Sequence, residues 1–557
     1  MIKTLYRFLA NQASQPTRLV IAALLTGGII HGIHQIFELA AAHWNEPNIY
    51  GDSFTFVLQE RSKSLLSWLL QQHNEHRIVW AKTASVIERK LFGLPPGQTA
   101  LFQNLALILG CAGLWSWLCQ RLLYRSDLRL ITALAGSLLL LNPWQYENLG
   151  WEFQTPWFLI NALVLTGALV LTIPSAGRFP QALISVLLPW MALASTGQGL
   201  ALTVAFAGCA WLHSRKLGAL VSTSSAIAGL SFFVLLPYSK PAGHPELSFQ
   251  IDYFLRAWLG GPWQGLALLC VVIAAVLLGR RQLILRASWP ALLLPGLFSI
   301  LFAGMITLSR AGFGIEQANS SRYITHSLML GLTALLALAM ADDHSRRPAT
   351  PLLGGFLALL TTIGSFPQGL QAGGLSYTGA WNEGRRWAEQ KRKRFICHAE
   401  QANLSASNIR LQNPCNEIFP DQRVIDQYFQ KALPVHPLGW HHQLLINQTI
   451  PANGPIRYNV DDQTFKPSSI QLKGWAFMKS KIREQLYLIA DYGNQGQVAV
   501  PVNQPRRGVK RSLGLSTARV GFDATFPQSQ NGQLLRAVRV GTPTQSVQIW
   551  QDPSADG

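Results

Sequence analysis

An ionisable group surrounded by lipid or apolar side chains costs free energy, so charged residues clustered in otherwise apolar sequence are the first place to look for chemistry. Three strings hold them here. HNEHRI sets Glu75, His76 and Arg77 side by side, with Glu46 and Asp52 shortly before it. NPWQYENLGWEFQTP carries Glu147, Asn148, Glu152 and Gln154, and SRAGFGIEQANSSRY carries Arg310, Glu316, Arg322 and Tyr323. A carboxylate takes up a proton, an imidazole tunes a neighbouring carboxylate, and a guanidinium clamps a phosphate through two parallel hydrogen bonds. These types suit transfer of a group away from a phosphate, which leaves as a stable anion and needs no strong general acid. Asp52 or Glu75 is the expected base, and Arg77, Arg310 and Arg322 are the expected phosphate ligands. His76, Glu147, Gln154 and Tyr323 complete the expected substrate-binding set. A divalent cation, Mg or Mn, held by Asp52 or Glu75 could replace one of the arginines. The competing reading is structural: ion pairs from loop to bundle, such as Glu75 with Arg322, or Glu147 or Glu152 with a cation.

A fourth set lies earlier in the chain. His31, His34 and Glu38 are spaced i, i+3, i+7 and share one helix face. They either point into a polar cavity or sit where that helix end meets water.

The elements that must position these groups are apolar helices. The chain has 557 residues, of which 49% are apolar and 13% charged, with 18 Trp and 26 Phe. That charged share is about half of what soluble domains carry. Runs of roughly 17 to 23 apolar residues recur up to residue 366, each near the ~20 needed to cross ~30 Å of hydrocarbon. Spans are predicted at 19–41, 100–119, 130–142, 156–173, 180–195, 200–212, 218–237, 263–279, 289–308, 323–341 and 351–368. The expected fold is therefore a mainly α polytopic membrane bundle of about 11 transmembrane helices, followed by a C-terminal extracytoplasmic α+β region.

Alternate short connections carry the basic residues: Lys3, Arg7 and Arg18; Arg121, Arg125 and Arg129; Arg178; Arg215 and Lys216; Arg280, Arg281 and Arg286; Arg346 and Arg347. By the positive-inside rule this set is cytoplasmic, which accounts for much of the net charge of +19 and argues against nucleic acid as a partner. The N-terminus is then inside, the first span reads as an uncleaved anchor in preference to a signal peptide cleaved near Ala40 and Ala42, and the three chemistry-bearing strings lie on the extracytoplasmic side.

Residues 1–370 form the expected membrane domain, with a long first external loop at 42–99. Within it, SFTFVLQERSKSLLSWLL spaces Phe54, Val57, Leu58, Leu65, Trp68 and Leu69 as an amphipathic interfacial or bundle-packed helix. Residues 371–455 read as a mixed juxtamembrane linker whose WNEGRRWAEQKRKRF string is a basic helix. Residues 456–557 alternate apolar and polar in short runs such as SIQLKGWAF and QLYLIADYG, the pattern of a small β-sandwich. Trp475 and Phe477 belong to its core, or alternatively face a glycan. Cys111, Cys119, Cys209 and Cys270 fall in spans as packing residues, whereas Cys397 and Cys415 lie where oxidising conditions permit a disulfide. No CxxC, HExxH or GxSxG motif occurs, which argues against a zinc protease or serine hydrolase.

The acidic first loop with NEHRI, the string ENLGWEFQ and the string GFGIEQANSSRY together resemble bacterial polytopic glycosyltransferases of the GT-C superfamily, over roughly residues 20–370. The resemblance implies a polyprenyl-phosphate-linked sugar as donor, a glycan, lipid or protein as acceptor, and a catalytic acid in the first external loop. No pair of adjacent acids directly follows the first span, so Asp52 and Glu75 are the residues chosen for that role. Two other functions compete: a transporter or flippase of lipid-linked sugars, which should place ionisable groups near the bilayer midplane, and a non-catalytic cell-envelope assembly protein.

Overall fold

The computed structural model of the chain describes residues 15–43, 53–61, 64–74, 76–92, 94, 97–174, 179–236, 246–259, 289–343, 377–405, 409–411, 415–416, 422–428, 456–466, 468–478, 486–492, 497–502, 504–505, 519–530, 533–541 and 546–551. The chain divides into two compact units, one of residues 1–49 and 59–389, the other of residues 50–58 and 390–557.

The first unit is helical. Its long elements are α1 (Gln15–His43), α5 (Ala100–Leu122), α6 (Ser126–Leu140), α8 (Thr155–Val170), α9 (Phe179–Ser195), α10 (Gly199–His213), α11 (Arg215–Leu230), α13 (Trp289–Arg310) and α14 (Ser321–Asp343). Between them lie the short helices α3 (Leu65–Leu70), α4 (Val79–Val86), α7 (Tyr146–Gly150) and α12 (Ile251–Leu259). Among the described residues, five stretches are long and apolar enough to cross a membrane: Leu19–Leu39, Ala100–Leu122, Arg215–Leu235, Trp289–Phe313 and Ser321–Met340. Thr155–Val170, Phe179–Ser195 and Gly199–His213 are apolar but shorter, so they fall below the ~30 Å of a hydrocarbon core as straight helices. The expected spans 263–279 and 351–368 lie outside the described residues. The expectation of about 11 crossings therefore reduces here to five full-length candidates and three shorter apolar helices.

Short connections force neighbouring helices to run antiparallel, so every second connection shares one end of the bundle. At one end Asp343 accepts the backbone N–H groups of Tyr124 and Arg125, both at 2.9 Å, tying the α5–α6 connection to the end of α14. His213 meets the Ile173 carbonyl there at 3.1 Å. The core between the ends is built from large side chains such as Trp115, Phe206, Phe298 and Phe302, all at most 1% exposed. Lipid is as apolar as these side chains, so close packing rather than water exclusion must hold them. Gly136 illustrates this: a Cβ there would lie 2.0 Å from the indole nitrogen of Trp115, which donates to the Thr132 carbonyl at 2.9 Å.

The amphipathic stretch of the first loop forms two helices, α2 (Ser53–Arg61) and α3, and its large apolar residues are not uniformly lipid-facing: Phe54 and Trp68 are fully buried. Phe54 packs in the second unit, 5.1 Å from the Tyr428 ring and 6.2 Å from the Phe395 ring. Phe395 belongs to α15 (Tyr377–Ser405), and Tyr428 follows α16 (Gln422–Gln427).

The rest of the second unit has two larger sheets and a short hairpin of β8 (Ser529–Gln530) with β9 (Gln533–Leu534). One sheet has the order β1 (Ile409–Leu411), β5 (Gln497–Pro501), β4 (Tyr487–Asp491), β10 (Ala537–Gly541), β11 (Ser546–Gln551). The other runs β2 (Ile456–Lys466), β3 (Ser469–Met478), β7 (Arg519–Pro527), β6 (Gln504–Pro505). Alternate residues of both sheets meet in one core: Ile470, Leu472, Ala476, Phe522, Ala524 and Phe526 from one, Leu488, Ala490, Val538 and Val540 from the other. Two details differ from the sequence reading. The parallel β1–β5 pairing brings residues 409–411, inside the expected linker, into the sheet. Trp475 and Phe477 stack with centroids 5.8 Å apart outside that core, on the strand face opposite to Leu472 and Ala476. Cys397 and Cys415 are joined by a disulfide, with Cα atoms 5.7 Å apart.

Candidate functional site

The end of the bundle opposite Asp343 gathers the three chemistry-bearing strings. Each enters through a different helix end, and the contacts between them are made largely by amide side chains. Asn148, in α7, is fully buried and donates to the Arg322 carbonyl at 2.8 Å and to the Thr325 hydroxyl at 2.7 Å. Asn104, in α5, is also fully buried and donates to the Asn148 and Leu149 carbonyls, both at 2.8 Å. The short turns that shape the second string begin at Asn142, whose side chain accepts from the Trp144 N–H at 2.9 Å while Pro143 fixes the first turn.

Arg322 occupies the first turn of α14. Its Nε donates to the Ser320 hydroxyl at 2.9 Å and stands 3.6 Å from Glu147 Oε2. Ser320 in turn donates to the same carboxylate oxygen at 3.4 Å. Arg322 and Glu147 remain partly open to solvent, with side-chain exposures of 36% and 21%. Two tyrosines flank the pair. Tyr253 of α12 is fully buried and has its phenol pushed up chiefly by burial and next by Tyr323, with Arg322 near enough to oppose the shift. Its hydroxyl lies within hydrogen-bonding reach of the Tyr323 side chain. Tyr146 is also raised, by burial first and then by the negative charges of Glu147 and Glu383.

Beneath this rim a chain of polar side chains descends into the bundle. Thr325 donates to Gln145 Oε1 at 2.9 Å, and Gln145 donates to the Leu140 carbonyl at 2.6 Å. Asn161 donates to the Thr325 carbonyl at 2.8 Å and accepts from His326 Nδ1 at 2.8 Å. That bond fixes the ring proton on Nδ1, and Nε2 has no partner among the described residues. His326 is stacked on Trp157 with centroids 4.7 Å apart and meets the Phe302 ring edge-on at 4.5 Å. It lies five residues into α14, about 7.5 Å from the helix start at 1.5 Å per residue.

The first loop docks on the same end. His73 and His76 exchange both backbone hydrogen bonds, at 2.8 and 2.9 Å, around a turn in which Asn74 takes φ +48°, a conformation Asn tolerates well. The His73 ring packs 5.4 Å from Phe153 of the second string. His76 Nδ1 accepts from the Gly197 N–H at 3.0 Å, which leaves Nε2 to carry the proton of the neutral ring. Arg77 is buried and braces two other segments: its Nε donates to the Phe232 carbonyl at 3.0 Å, and a terminal nitrogen donates to the Leu70 carbonyl.

The structure thus places Arg322, Glu147 and Tyr323 together, with Asn148 as the bracket that joins their two strings. His76 and Arg77 lie in the same set of connections, engaged with backbone groups of other loops. Gln154 is buried, and its Oε1 accepts no hydrogen bond. Arg310 ends α13 with its guanidinium 5.6 Å from the Phe313 ring centre. Asp52 and Glu75, the expected bases and metal ligands, lie outside the described residues. Among the described residues, no group of three His, Cys, Asp or Glu side chains could hold a metal ion.

On the first helix, His34 and Glu38 pair at 3.3 Å, and Arg385 of α15 reaches the same carboxylate at 2.8 Å. All three are exposed, whereas Ile36 between them is buried, so this polar face looks outward.

Several residues that organise this end escaped the sequence reading. Glu88 is buried and accepts from the Gly97 N–H at 2.9 Å, the Thr99 N–H at 2.8 Å and the Thr99 hydroxyl, clasping the turn that starts α5. Lys82, fully buried, donates to the carbonyls of Trp68 and Gln71, both at 2.7 Å. Asn104, Asn161, Thr325 and His326 could have been found as polar residues interrupting apolar runs.

No protein-family model, curated protein or solved structure matches this chain.

Proposed function

We propose that the chain is a membrane glycosyltransferase that moves a sugar from a polyprenyl-phosphate donor to a glycan, lipid or protein acceptor. One observation carries the reading: three polar connections, far apart in sequence, gather at one end of an apolar bundle, two of them meeting at the partly exposed Arg322. In this reading Arg322 steadies the departing phosphate and Tyr323 lines its pocket. Asp52 or Glu75 takes the acceptor's proton, alone or while holding Mg or Mn. Gln154 contributes an unpartnered buried acceptor for a sugar hydroxyl.

The opposite end of the bundle carries Arg121, Arg125, Arg129, Arg215 and Lys216. The positive-inside rule then supports an extracytoplasmic site in a bacterial inner membrane, and the Cys397–Cys415 disulfide agrees with an oxidising side for the second unit.

The buried chain ending at His326 favours one competing reading, a transporter, because polar groups inside spans line pathways. Its depth argues the other way. About 7.5 Å is half the distance to the midplane of a ~30 Å core, so the chain underlies a site at one surface.

Purified protein in lipid nanodiscs, incubated with radiolabelled polyprenyl-phosphate sugars and candidate acceptors, tests the proposal. Label should appear in an acceptor. Label that crosses a liposome membrane on intact donor, with no transfer, would instead make the chain a transporter; neither result would favour an assembly role.

A further inference from the structure

We propose that the outer face of the β2–β3–β7 sheet binds a neutral glycan, with one sugar ring stacked on Trp475 and its hydroxyls held by the polar row beside it. Trp475 lies in the second unit, so this site does not rest on the transferase reading of the first.

Strand pairing sets the face. Alternation along β3 turns Leu472 and Ala476 to the core and leaves Gln471, Lys473, Trp475 and Phe477 on the other side. Trp475 and Phe477 are partly exposed there and stack with centroids 5.8 Å apart. Phe477 covers one side of the indole, and no second ring or cation stacks on it among the described residues. Gly521 stands opposite Trp475 in register, so no β7 side chain fills the space beside the indole at that position. One register pair along, Asp523 accepts from Gln471 at 2.8 Å through one carboxylate oxygen and meets Lys473 at 3.4 Å through the other. Lys473 and Asp523 are both more than a third exposed. A braced carboxylate, an ammonium and an amide therefore stand in a row next to an aromatic plane.

The chemistry of this face selects its occupant. A pyranose has a C–H face, which the negative face of an aromatic ring attracts, and a rim of hydroxyls that donate to a carboxylate and accept from an ammonium or amide. Neighbouring positions on a sheet face lie about 5–8 Å apart, a spacing that one sugar ring spans. A protein partner needs about 800 Å² on each side, whereas two aromatic side chains offer at most ~500 Å². Phosphate-rich surfaces are disfavoured, because Asp462 and Asp523 flank Lys473 in register and leave the row net negative. Shielding Gly521 accounts for Trp475 alone, and not for Phe477 or the braced carboxylate.

The test is calorimetry on the full chain in nanodiscs with maltohexaose, cellohexaose and chitohexaose, joined to saturation-transfer nuclear magnetic resonance of the bound sugar. At least one oligosaccharide should bind, with saturation strongest at its ring C–H protons. Trp475→Leu keeps apolar cover over Gly521 but removes the ring, so it should weaken binding about tenfold or more, whereas Trp475→Tyr should retain most of it. Asp523→Asn should weaken binding as well, and Phe477→Leu serves if Trp475→Leu does not fold. Undiminished binding in Trp475→Leu overturns the proposal, as does failure of all three sugars to bind at millimolar concentration. Two other occupants would also overturn it: a dimer of the chain that Trp475→Leu dissociates, or binding of heparin in place of the neutral sugars. None of these readouts depends on sugar transfer, so the proposal and the transferase reading fail separately.

Discussion

Asn148 holds Arg322 by its backbone: the buried amide of one donates to the carbonyl of the other at 2.8 Å, and to the Thr325 hydroxyl one turn further on at 2.7 Å. The bracket fixes the start of α14 against α7, with the Arg322 side chain turned to Ser320 and Glu147 at the rim. Position and chemistry are thereby separated, because the residue that locates the guanidinium is not the one that neutralises it.

Replacing Asn148 with Ala should therefore damage the site without touching its charges. Two buried groups lose their partner, each costing about 1–3 kcal/mol. The melting temperature followed by circular dichroism should fall by several degrees, and Asn148→Asp should be worse, since a carboxylate cannot donate to the carbonyl. An unaltered melting curve in Asn148→Ala would show that the bracket does not hold the loops together.

Glu88 gives a pH signature. Burial pushes its carboxyl above the ordinary value of 4.5, against the lowering effect of hydrogen bonds from Thr99 and Gly97. A carboxyl raised on folding favours the native state while protonated. That contribution is complete below the unfolded pKa and is lost as pH rises through the folded one. Glu88→Gln does not titrate, so the stability of wild type minus that of the variant should shrink as pH rises above the ordinary carboxyl value of 4.5. A difference that grows with pH would mean that the donors around Glu88 outweigh its burial.

Gly199 lies where α9 turns into α10, and a Cβ there would sit 2.1 Å from the Ala192 carbonyl oxygen. Backbone cannot yield as a side chain can, so Gly199→Ala should open the corner at a cost of about 1–3 kcal/mol. The displaced Gly197 N–H would also release His76. Nuclear magnetic resonance of labelled histidines should show the His76 ring shift in the variant, and an identical spectrum would refute the coupling.

The cysteines offer a chemical test of both units. Cys111, Cys119 and Cys209 are buried thiols, and Cys397 is bonded to Cys415. Alkylation of native protein should spare the first three, and non-reducing peptide mapping should recover one cross-linked pair. Closing an 18-residue separation should contribute about 3 kcal/mol, so reduction should lower the melting temperature of the second unit. Free thiols at both Cys397 and Cys415 in native protein would contradict the pairing.

Much of this was legible in the sequence because period and composition are local properties. The helical character of 19–41, 100–119 and 289–308 follows from uninterrupted apolar runs, and the strands of the second unit follow from alternation, as in SIQLKGWAF. The gathering of the three strings was also legible, because they fall in alternate connections, which short links between antiparallel helices bring to one end. What each side chain does there was not. Arg77 and Arg322 look alike in sequence, yet one ends against the Phe232 carbonyl and the other at the rim, a difference set by contacts 155 residues away. The count of crossings was likewise beyond composition, since Thr155–Val170 and Gly199–His213 are apolar enough but short. Strand β1 was missed because three residues carry no period, and only pairing with β5 makes them a strand.

The most direct test of the account is the rate of sugar transfer in nanodiscs for wild type, Arg322→Ala, Asp52→Asn and Glu75→Gln, each first shown to fold by its melting curve. Loss of the cation that receives the departing phosphate should lower turnover by about 10²–10³-fold, and at least one carboxylate variant should fall as far. Transfer at the wild-type rate in Arg322→Ala would contradict the claim that the converging connections form the catalytic centre.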